Sequence, residues 1–99
     1  MRILSKRGLR DFWQKQSNAE KPLRYWYDVT RKASWDSFSD VRSDFRAADV
    51  VGICVVFDIG GNKYRLITKI DYKYKTVYIR FVLTHKDYDK GGWKNDCKG

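Results

Sequence analysis

The stretch NKYRLITKIDYKYKTVYIRFVL, residues 62–83, contains two strand-like runs in which apolar and polar side chains alternate. Successive side chains of a strand point to opposite faces of the sheet, so alternate residues share a face. The first run separates apolar from basic residues: Tyr64, Leu66, Ile70 and Tyr72 against Lys63, Arg65 and Lys69. The second run places four apolar residues opposite two polar ones: Val77, Ile79, Phe81 and Leu83 against Tyr78 and Arg80. We therefore predict a sheet with one apolar face and one cationic face.

Two glycines, Gly60 and Gly61, come directly before the first run. Glycine readily adopts the positive φ values of tight hairpin turns, so residues 51–59 are predicted to form a further antiparallel strand. The first half of the chain has helical spacing instead. We predict one helix from Ser5 to about Gln16 and a second helix from about Asn18 onward.

The tryptophans of these two helices, Trp13 and Trp26, lie on apolar stripes, which predicts packing in a core and no role in recognition. A short helix capped by Ser39, a C-terminal helix from about Thr84 and an edge strand at Ile3 and Leu4 complete the pattern. The fold class predicted is α+β, with N-terminal helices packed on one face of a small antiparallel sheet and a short C-terminal helix. The cationic face is expected to be free to bind.

The composition indicates what that face binds. The chain has 99 residues, with 21 Lys plus Arg against 12 Asp plus Glu and a net charge of +9. Such a chain attracts polyanions, of which nucleic acid is the commonest. The alternative is a generally solvated surface, but residues 62–80 hold six basic residues against one acid, Asp71. This clustering favours a binding face, and we expect one domain spanning residues 1–99.

The cysteines and the N-terminus indicate the compartment. Cys54 lies in a predicted strand and Cys97 in a lysine-rich tail, and this spacing indicates neither a metal cluster nor a disulfide framework. We therefore expect a reduced compartment. Residues 1–7 leave no room for the apolar part of a secretory signal, and no stretch approaches the ~20 apolar residues needed to span a bilayer. A cytoplasmic protein is the expectation.

Two motifs carry a resemblance to a known family. Residues 55–66 read VVFDIGGNKYRL and residues 79–90 read IRFVLTHKDYDK, and both resemble the HigB-type toxins, a branch of the RelE-like mRNA interferases of bacterial toxin-antitoxin systems. The resemblance extends over nearly the whole chain, including SKRGLRDFW at residues 5–13 and LRYWY at residues 23–27. It implies a RelE-like fold. It also implies an endoribonuclease that enters the ribosomal A site, cuts mRNA there and is silenced by a HigA-type antitoxin.

The resemblance further implies a reaction without a metal or other cofactor, in which the ribose 2′-hydroxyl attacks the adjacent phosphate. This chemistry needs a group that accepts the 2′ proton, cations that hold the phosphate, and a donor for the departing 5′ oxygen. Arg65, in the YRL motif, is our first choice to hold two phosphate oxygens, and Arg80 on the neighbouring strand is the second. The alternative for each arginine is a solvated sheet residue or an intramolecular salt bridge.

His85 is the only histidine, and it is predicted to lie where the last strand gives way to the final helix. A histidine exchanges protons near neutral pH, so His85 is a candidate acid, base or phosphate donor. Tyr88 lies three residues further along, on the same helical face, and offers a hydroxyl for a phosphate, a ring for a base, or packing against the sheet. Asp87 and Asp89 either orient His85 or cap and solvate the helix, and for Asp89 we favour the second role. Five lysines are predicted RNA contacts: Lys63, Lys86 and, further out, Lys69, Lys73 and Lys75.

Two classes of function remain open on the sequence. The preferred one is a ribosome-dependent endoribonuclease, and the alternative is a non-catalytic basic module that binds ribosomal or messenger RNA through the same face. Salt-sensitive RNA binding fits both classes, because each phosphate contact releases counterions.

Overall fold

The computed structural model describes residues Met1–Gly99. Four α-helices and five strands follow one another, with a short 3₁₀ turn at Ser17–Ala19 between the first two helices. In chain order the elements are β1 (Arg2–Leu4), α1 (Lys6–Lys15), α2 (Glu20–Lys32), α3 (Phe38–Asp44), β2 (Asp49–Val51), β3 (Cys54–Ile59), β4 (Tyr64–Asp71), β5 (Thr76–Thr84) and α4 (His85–Lys90). A 3₁₀ stretch, Gly92–Cys97, follows α4 and is called the C-terminal segment below.

The sheet has the strand order β1-β5-β4-β3-β2. The antiparallel hairpins β3–β4 and β4–β5 form as predicted, and the α+β fold class is confirmed. The edge strand predicted at Ile3 and Leu4 is also present, but it runs parallel to β5, which makes the sheet mixed. The short helix begins two residues earlier than predicted, at Phe38, because Ser37 rather than Ser39 takes the N-cap position.

The main core lies between the sheet and the N-terminal helices. Trp13 of α1 and Trp26 of α2 are buried in it, as predicted, together with Phe57 of β3 and Leu66 of β4. The Trp26 ring meets Phe57 edge-on, with ring centroids 5.3 Å apart. Burying side chains of this size contributes roughly 1.5–3 kcal/mol each, so this layer fixes which sheet face the helices cover.

A β-bulge interrupts the pairing of β4 with β5 and corrects the predicted parity of β5. Ile67 pairs with Phe81 but Thr68 pairs with Ile79, so Arg80 is the extra residue. A bulge places two successive side chains on one face and reverses the alternation beyond it. Phe81 and Leu83 therefore lie on the face opposite Val77 and Ile79, although the simple alternation had placed all four together.

The second sheet face is only partly open, contrary to expectation. The C-terminal segment packs across it and forms a small second core: Cys54, Val56, Ile67, Trp93 and Cys97. Cys54 and Cys97 are joined by a disulfide bond, which corrects the expectation, based on their spacing, that they belong to no disulfide framework. Sequence spacing gave no sign of the pairing because the two residues lie 43 positions apart and meet only when the tail folds back over β3. No helix has the length and apolar character needed to cross a membrane.

Candidate functional site

Arg65 lies on the second sheet face, in β4, directly opposite Asp58 of β3. Its Nε is 3.0 Å from Asp58 Oδ1, and its Nη1 donates to the carbonyl oxygens of Asn62 and Tyr64. Its Nη2 donates to the side-chain oxygen of Asn62. The side chain is only 11% exposed. The structure thus shows the intramolecular alternative for Arg65, and most of its donors are engaged within the protein.

Tyr88 of α4 is held between two other side chains. The Arg65 guanidinium lies over its ring, 5.0 Å from the centroid, and the Trp93 indole is stacked on it with centroids 4.9 Å apart. Both neighbours contact the aromatic ring, so an RNA base stacking on Tyr88 would compete with the Trp93 indole. The phenolic hydroxyl is the part of Tyr88 that remains for a ligand.

His85 is the first residue of α4, where β5 ends. Its backbone N–H donates to the carbonyl of Lys63, which fixes the start of the helix against the β3–β4 turn. The Thr84 hydroxyl caps the same helix by accepting from Asp87 N–H at 3.2 Å. The His85 side chain is 46% exposed, and its Nδ1 lies 3.0 Å from Asp89 Oδ2. A carboxylate at Nδ1 selects the tautomer with the proton there, so the Nε2 lone pair is free to accept a proton.

This contact corrects the role expected for Asp89. The sequence favours capping and solvation for Asp89, whereas the structure places its carboxylate beside His85 Nδ1, one helical turn away. Asp87 instead lies near Lys90, with Nζ 3.6 Å from Oδ1. The two aspartates of the DYD motif therefore have different partners.

Arg80 protrudes from the bulge and forms a second cluster with Lys69 and Asp96. Its Nε and Nη2 donate to the two carboxylate oxygens of Asp96 at 2.7 and 3.0 Å, and Lys69 Nζ lies 3.6 Å from the same carboxylate. Hydrogen bonding to Asp96 raises the pKa of Arg80, and the same bond lowers the pKa of Asp96 from its ordinary value of 3.8. Arg80 thus has a carboxylate where a phosphate was predicted.

The predicted lysines are spread along the sheet. Lys63 in the β3–β4 turn and Lys86 in α4 are both exposed. Lys86 follows His85 in the sequence, and the Lys63 carbonyl accepts from the His85 backbone N–H. Lys73 and Lys75 belong to the β4–β5 turn at the opposite end of β4, roughly 25 Å away at about 3.3 Å per residue. Lys75 is engaged there, since its Nζ donates to the carbonyl of Trp35 and pairs with Asp36.

Arg65, Lys69 and Arg80 therefore share the second sheet face but not one groove, whereas Lys75 contacts Trp35 of the main core on the helical side. Arg65 and Lys69 are four residues apart on β4, about 13 Å, and the second core lies between their clusters. The one concave pocket, of about 320 Å³, lies between α1 and β5 and includes Arg80 but neither His85 nor Arg65. No three His, Cys, Asp or Glu side chains lie together as a set able to hold a metal ion.

Comparison with known proteins gives the same family as the motifs. Residues 19–91 match the model of the HigB toxin family, described as the RelE-like toxic component of a toxin-antitoxin system. The chain belongs to the HigB toxin family. It is 27% identical to the mRNA interferase HigB of Escherichia coli O6:H1 strain CFT073 over 93 residues, which are 91% of this chain and 90% of that protein. It is 25% identical to the mRNA interferase toxin HigB of E. coli K12 over 92 residues, 90% and 88% of the two chains.

The part of this HigB family member that matches the family model contains Arg65, Arg80, His85 and Tyr88. Trp93 and Asp96 lie beyond it, and the sequence interpretation missed both because nothing in the sequence indicates where the tail packs. Asp58 and Asn62, which hold Arg65, were also missed. The hairpin register through Gly60 and Gly61 pairs Asp58 with Arg65, so that signal was available.

Proposed function

We propose that this member of the HigB toxin family is an mRNA interferase that cleaves mRNA on the ribosome by metal-independent attack of the ribose 2′-hydroxyl. Two relatives with coverage of about nine-tenths of this chain are named mRNA interferases, which supports the reaction class. The ribosome as the site of action, the metal-independent route and a HigA-type antitoxin come from the resemblance of the sequence motifs. Action on the ribosome places the protein in the cytoplasm.

The observation that carries the proposal is the His85–Asp89 pair at the exposed start of α4. Asp89 holds the proton on Nδ1 and stabilises the imidazolium that forms once Nε2 has taken a proton. His85 Nε2 is then the acceptor for the 2′-hydroxyl proton. The 2′ oxygen attacks phosphorus, the bond to the 5′ oxygen breaks, and a 2′,3′-cyclic phosphate and a 5′-hydroxyl remain.

The charge that develops on the phosphate is offset by the cations around His85. Lys63 and Lys86 are exposed on the two elements that meet there, and neither has an acidic partner within ion-pair distance. The Tyr88 hydroxyl is the donor we assign to the phosphate or the departing 5′ oxygen. A preorganised donor of this kind is worth on the order of 10²-fold in rate.

We propose for Arg65 a role different from the bidentate phosphate clamp expected from the sequence. Its ion pair with Asp58 and its bonds to Asn62 hold the guanidinium under the Tyr88 ring. We propose that Arg65 positions Tyr88 and contributes positive charge below it. Truncating Arg65 would then lower the rate through Tyr88, with a smaller effect on RNA affinity.

The openness of the site agrees with a requirement for the ribosome. His85 is nearly half exposed and no pocket encloses it, so the protein alone provides little to orient a flexible RNA strand. Correct orientation of reacting groups is worth up to about 7–11 kcal/mol of a barrier. On the ribosome, the mRNA is already held in the decoding centre, so the ribosome supplies this orientation.

The test is cleavage of a translated message in a purified translation system. Wild-type protein is expected to cut the message, and His85→Ala is expected to lose roughly 10²-fold or more in rate while still co-sedimenting with ribosomes. Asp28→Asn, an exposed change on α2, is the control and should cleave at the wild-type rate. Normal cleavage by His85→Ala contradicts the assigned role.

The binding-only alternative makes a distinct prediction in the same experiment. A non-catalytic module co-sediments with ribosomes in a salt-dependent way and leaves the translated message intact at every protein concentration. Expression without an antitoxin adds a second readout, because an active interferase arrests growth of the host.

A further inference from the structure

Arg80 and Lys69 are arranged as in a phosphate-binding site, but the anion that they hold is the Asp96 carboxylate of the same chain. Arg80 presents Nε and Nη2 to two oxygens of one anion, which is the geometry of arginine with phosphate as well as with carboxylate. Lys69 adds a second positive charge from the neighbouring strand. Arg80 is the extra residue of the bulge in β5, and the bulge places its side chain on the same sheet face as Lys69.

The carboxylate in this cluster comes from the C-terminal segment. Asp96 belongs to the C-terminal segment and is next to Cys97, which is bonded to Cys54 of β3. The Cys97 carbonyl also accepts from Ile53 N–H at 2.8 Å. Asp96 is therefore held over Arg80 by a covalent tether as well as by its own charge. Arg80 is 42% exposed and Lys69 31% exposed, so an incoming anion can reach both.

We propose that Arg80 and Lys69 form a second RNA-phosphate site that Asp96 blocks, and that reduction of the Cys54–Cys97 disulfide frees it. The proposal takes its ligand, RNA, from the proposed function and adds a regulation to it. With the disulfide intact, RNA competes with a carboxylate of high effective concentration. Two electrons and two protons from a dithiol convert the disulfide to two thiols and the dithiol to its own disulfide. Asp96 then competes only through the packing of the C-terminal segment.

The first test measures binding of a single-stranded 2′-O-methyl RNA oligonucleotide, which cannot react at its 2′ positions, by fluorescence anisotropy over a range of salt concentrations. Asp96→Asn in the oxidised protein is expected to bind several-fold more tightly than wild type. Its plot of log affinity against log salt should be steeper by about 0.7 for each phosphate gained. Asp28→Asn is the matched control, because it makes the same change in net charge on the helical side of the molecule, away from the cluster.

Two further arms locate the effect. In an Arg80→Gln background, Asp96→Asn should no longer raise the affinity beyond the Asp28→Asn control, because the site it uncovers has lost its main donor. Treating the wild-type protein with dithiothreitol should raise its affinity toward that of Asp96→Asn. The same treatment of Asp96→Asn should change little, since the blocking charge is already gone.

Asp96→Asn binding no more tightly than Asp28→Asn overturns the proposal, as does a wild-type affinity that is unchanged by dithiothreitol. Both results are independent of cleavage. If Asp96→Asn gains affinity but no variant cuts translated mRNA, the proposed function fails while the blocked site stands. If wild type cuts mRNA and Asp96→Asn gains nothing, the proposed function stands alone.

Discussion

Single carboxylates decide what the charged residues of the candidate site can do. Asp89 sets the tautomer of His85, Asp58 holds Arg65 beneath Tyr88, and Asp96 occupies the donors of Arg80. Each pairing is local, and each gives its basic partner a role that residue type alone does not show. Asp87, two residues before Asp89, pairs with Lys90 instead and offers a natural comparison.

Asp89→Asn is expected to lower the rate of mRNA cleavage roughly tenfold, a part of the 10²–10⁴ that general base catalysis supplies. The amide no longer stabilises the imidazolium that forms on His85. Asp87→Asn makes the same charge change on the same helix and should leave the rate within about twofold. Single-turnover cleavage rates and ribosome affinities of the two variants check this, and affinity should be equal in both. Equal rates for the two variants would show that the carboxylate at Nδ1 is not used.

The pKa of Asp96 gives a prediction for pH. Its value in the folded protein is lowered, first by the hydrogen bond from Arg80, so ionised Asp96 stabilises the docked tail. This contribution is complete above the ordinary aspartate value and is lost as the pH falls through the lowered one. An NMR titration of the Asp96 carboxyl carbon should show its pKa rising toward 3.8 in Arg80→Gln. An unchanged midpoint would contradict the pairing.

How far such pairings are predictable depends on sequence distance. The His85–Asp89 contact spans one helical turn, so the helix alone is enough to predict it. Of the two roles open to Asp89, contact with His85 was therefore the better prediction than capping. The Asp58–Arg65 pair follows from the hairpin register. Asp96 and Trp93 were beyond reach, because their partners depend on how a short, charged tail packs onto a sheet face.

Among the elements, the bulge in β5 and the C-terminal segment determine the shape of the second sheet face. Strand alternation, together with the turn at Gly60 and Gly61, correctly predicted both hairpins and the helix-facing residues of β4. Alternation assigned Phe81 and Leu83, which follow Arg80, to the wrong face. A one-residue bulge shifts the alternation, and the order of apolar and polar residues does not reveal it. The C-terminal segment then covers the apolar residues that the bulge turns outward, Phe81 and Leu83 among them.

Gly52 is the point where the β2–β3 turn meets this segment. Its φ is +58°, and a Cβ there would lie 2.0 Å from the Cys97 carbonyl oxygen. Gly52→Ala is therefore expected to displace the C-terminal segment and to destabilise the protein by about 1–3 kcal/mol. Gly61→Ala is the matched control, because φ is +70° and nothing lies within 4 Å of the added Cβ. The Trp93 indole NMR signal should shift only in Gly52→Ala, and a signal unchanged there would contradict the packing described.

On the scale of the whole molecule, one sheet is covered by two unequal layers. Helices α1 and α2 bury the large core, and the tail with its disulfide buries the small one. The large core determines the fold, while the small core holds Trp93 against Tyr88 and Asp96 against Arg80. The fold class was predictable because the large core follows regular periodicities, whereas the small core and its disulfide depend on a fold-back of the tail.

The disulfide closes a long loop, so its reduction should lower the free energy of unfolding. Cys54 and Cys97 are 43 residues apart, and a cross-link of this kind is worth about 2–4 kcal/mol, mainly through the unfolded chain. Urea unfolding of the oxidised and dithiothreitol-treated protein measures the difference. A common unfolding midpoint would mean that the bond is absent from the oxidised sample or makes no contribution.

In the proposed reaction, the site at His85 directs a ribose 2′-hydroxyl at its neighbouring phosphate. The most direct measurement uses a translated message with a single 2′-O-methyl group at a nucleotide that the wild-type protein normally cuts. Cleavage there should disappear, while unmodified message should yield fragments with 2′,3′-cyclic phosphate and 5′-hydroxyl ends. Cleavage at the methylated position, or fragments that carry 5′-phosphates, would contradict attack by the 2′-hydroxyl.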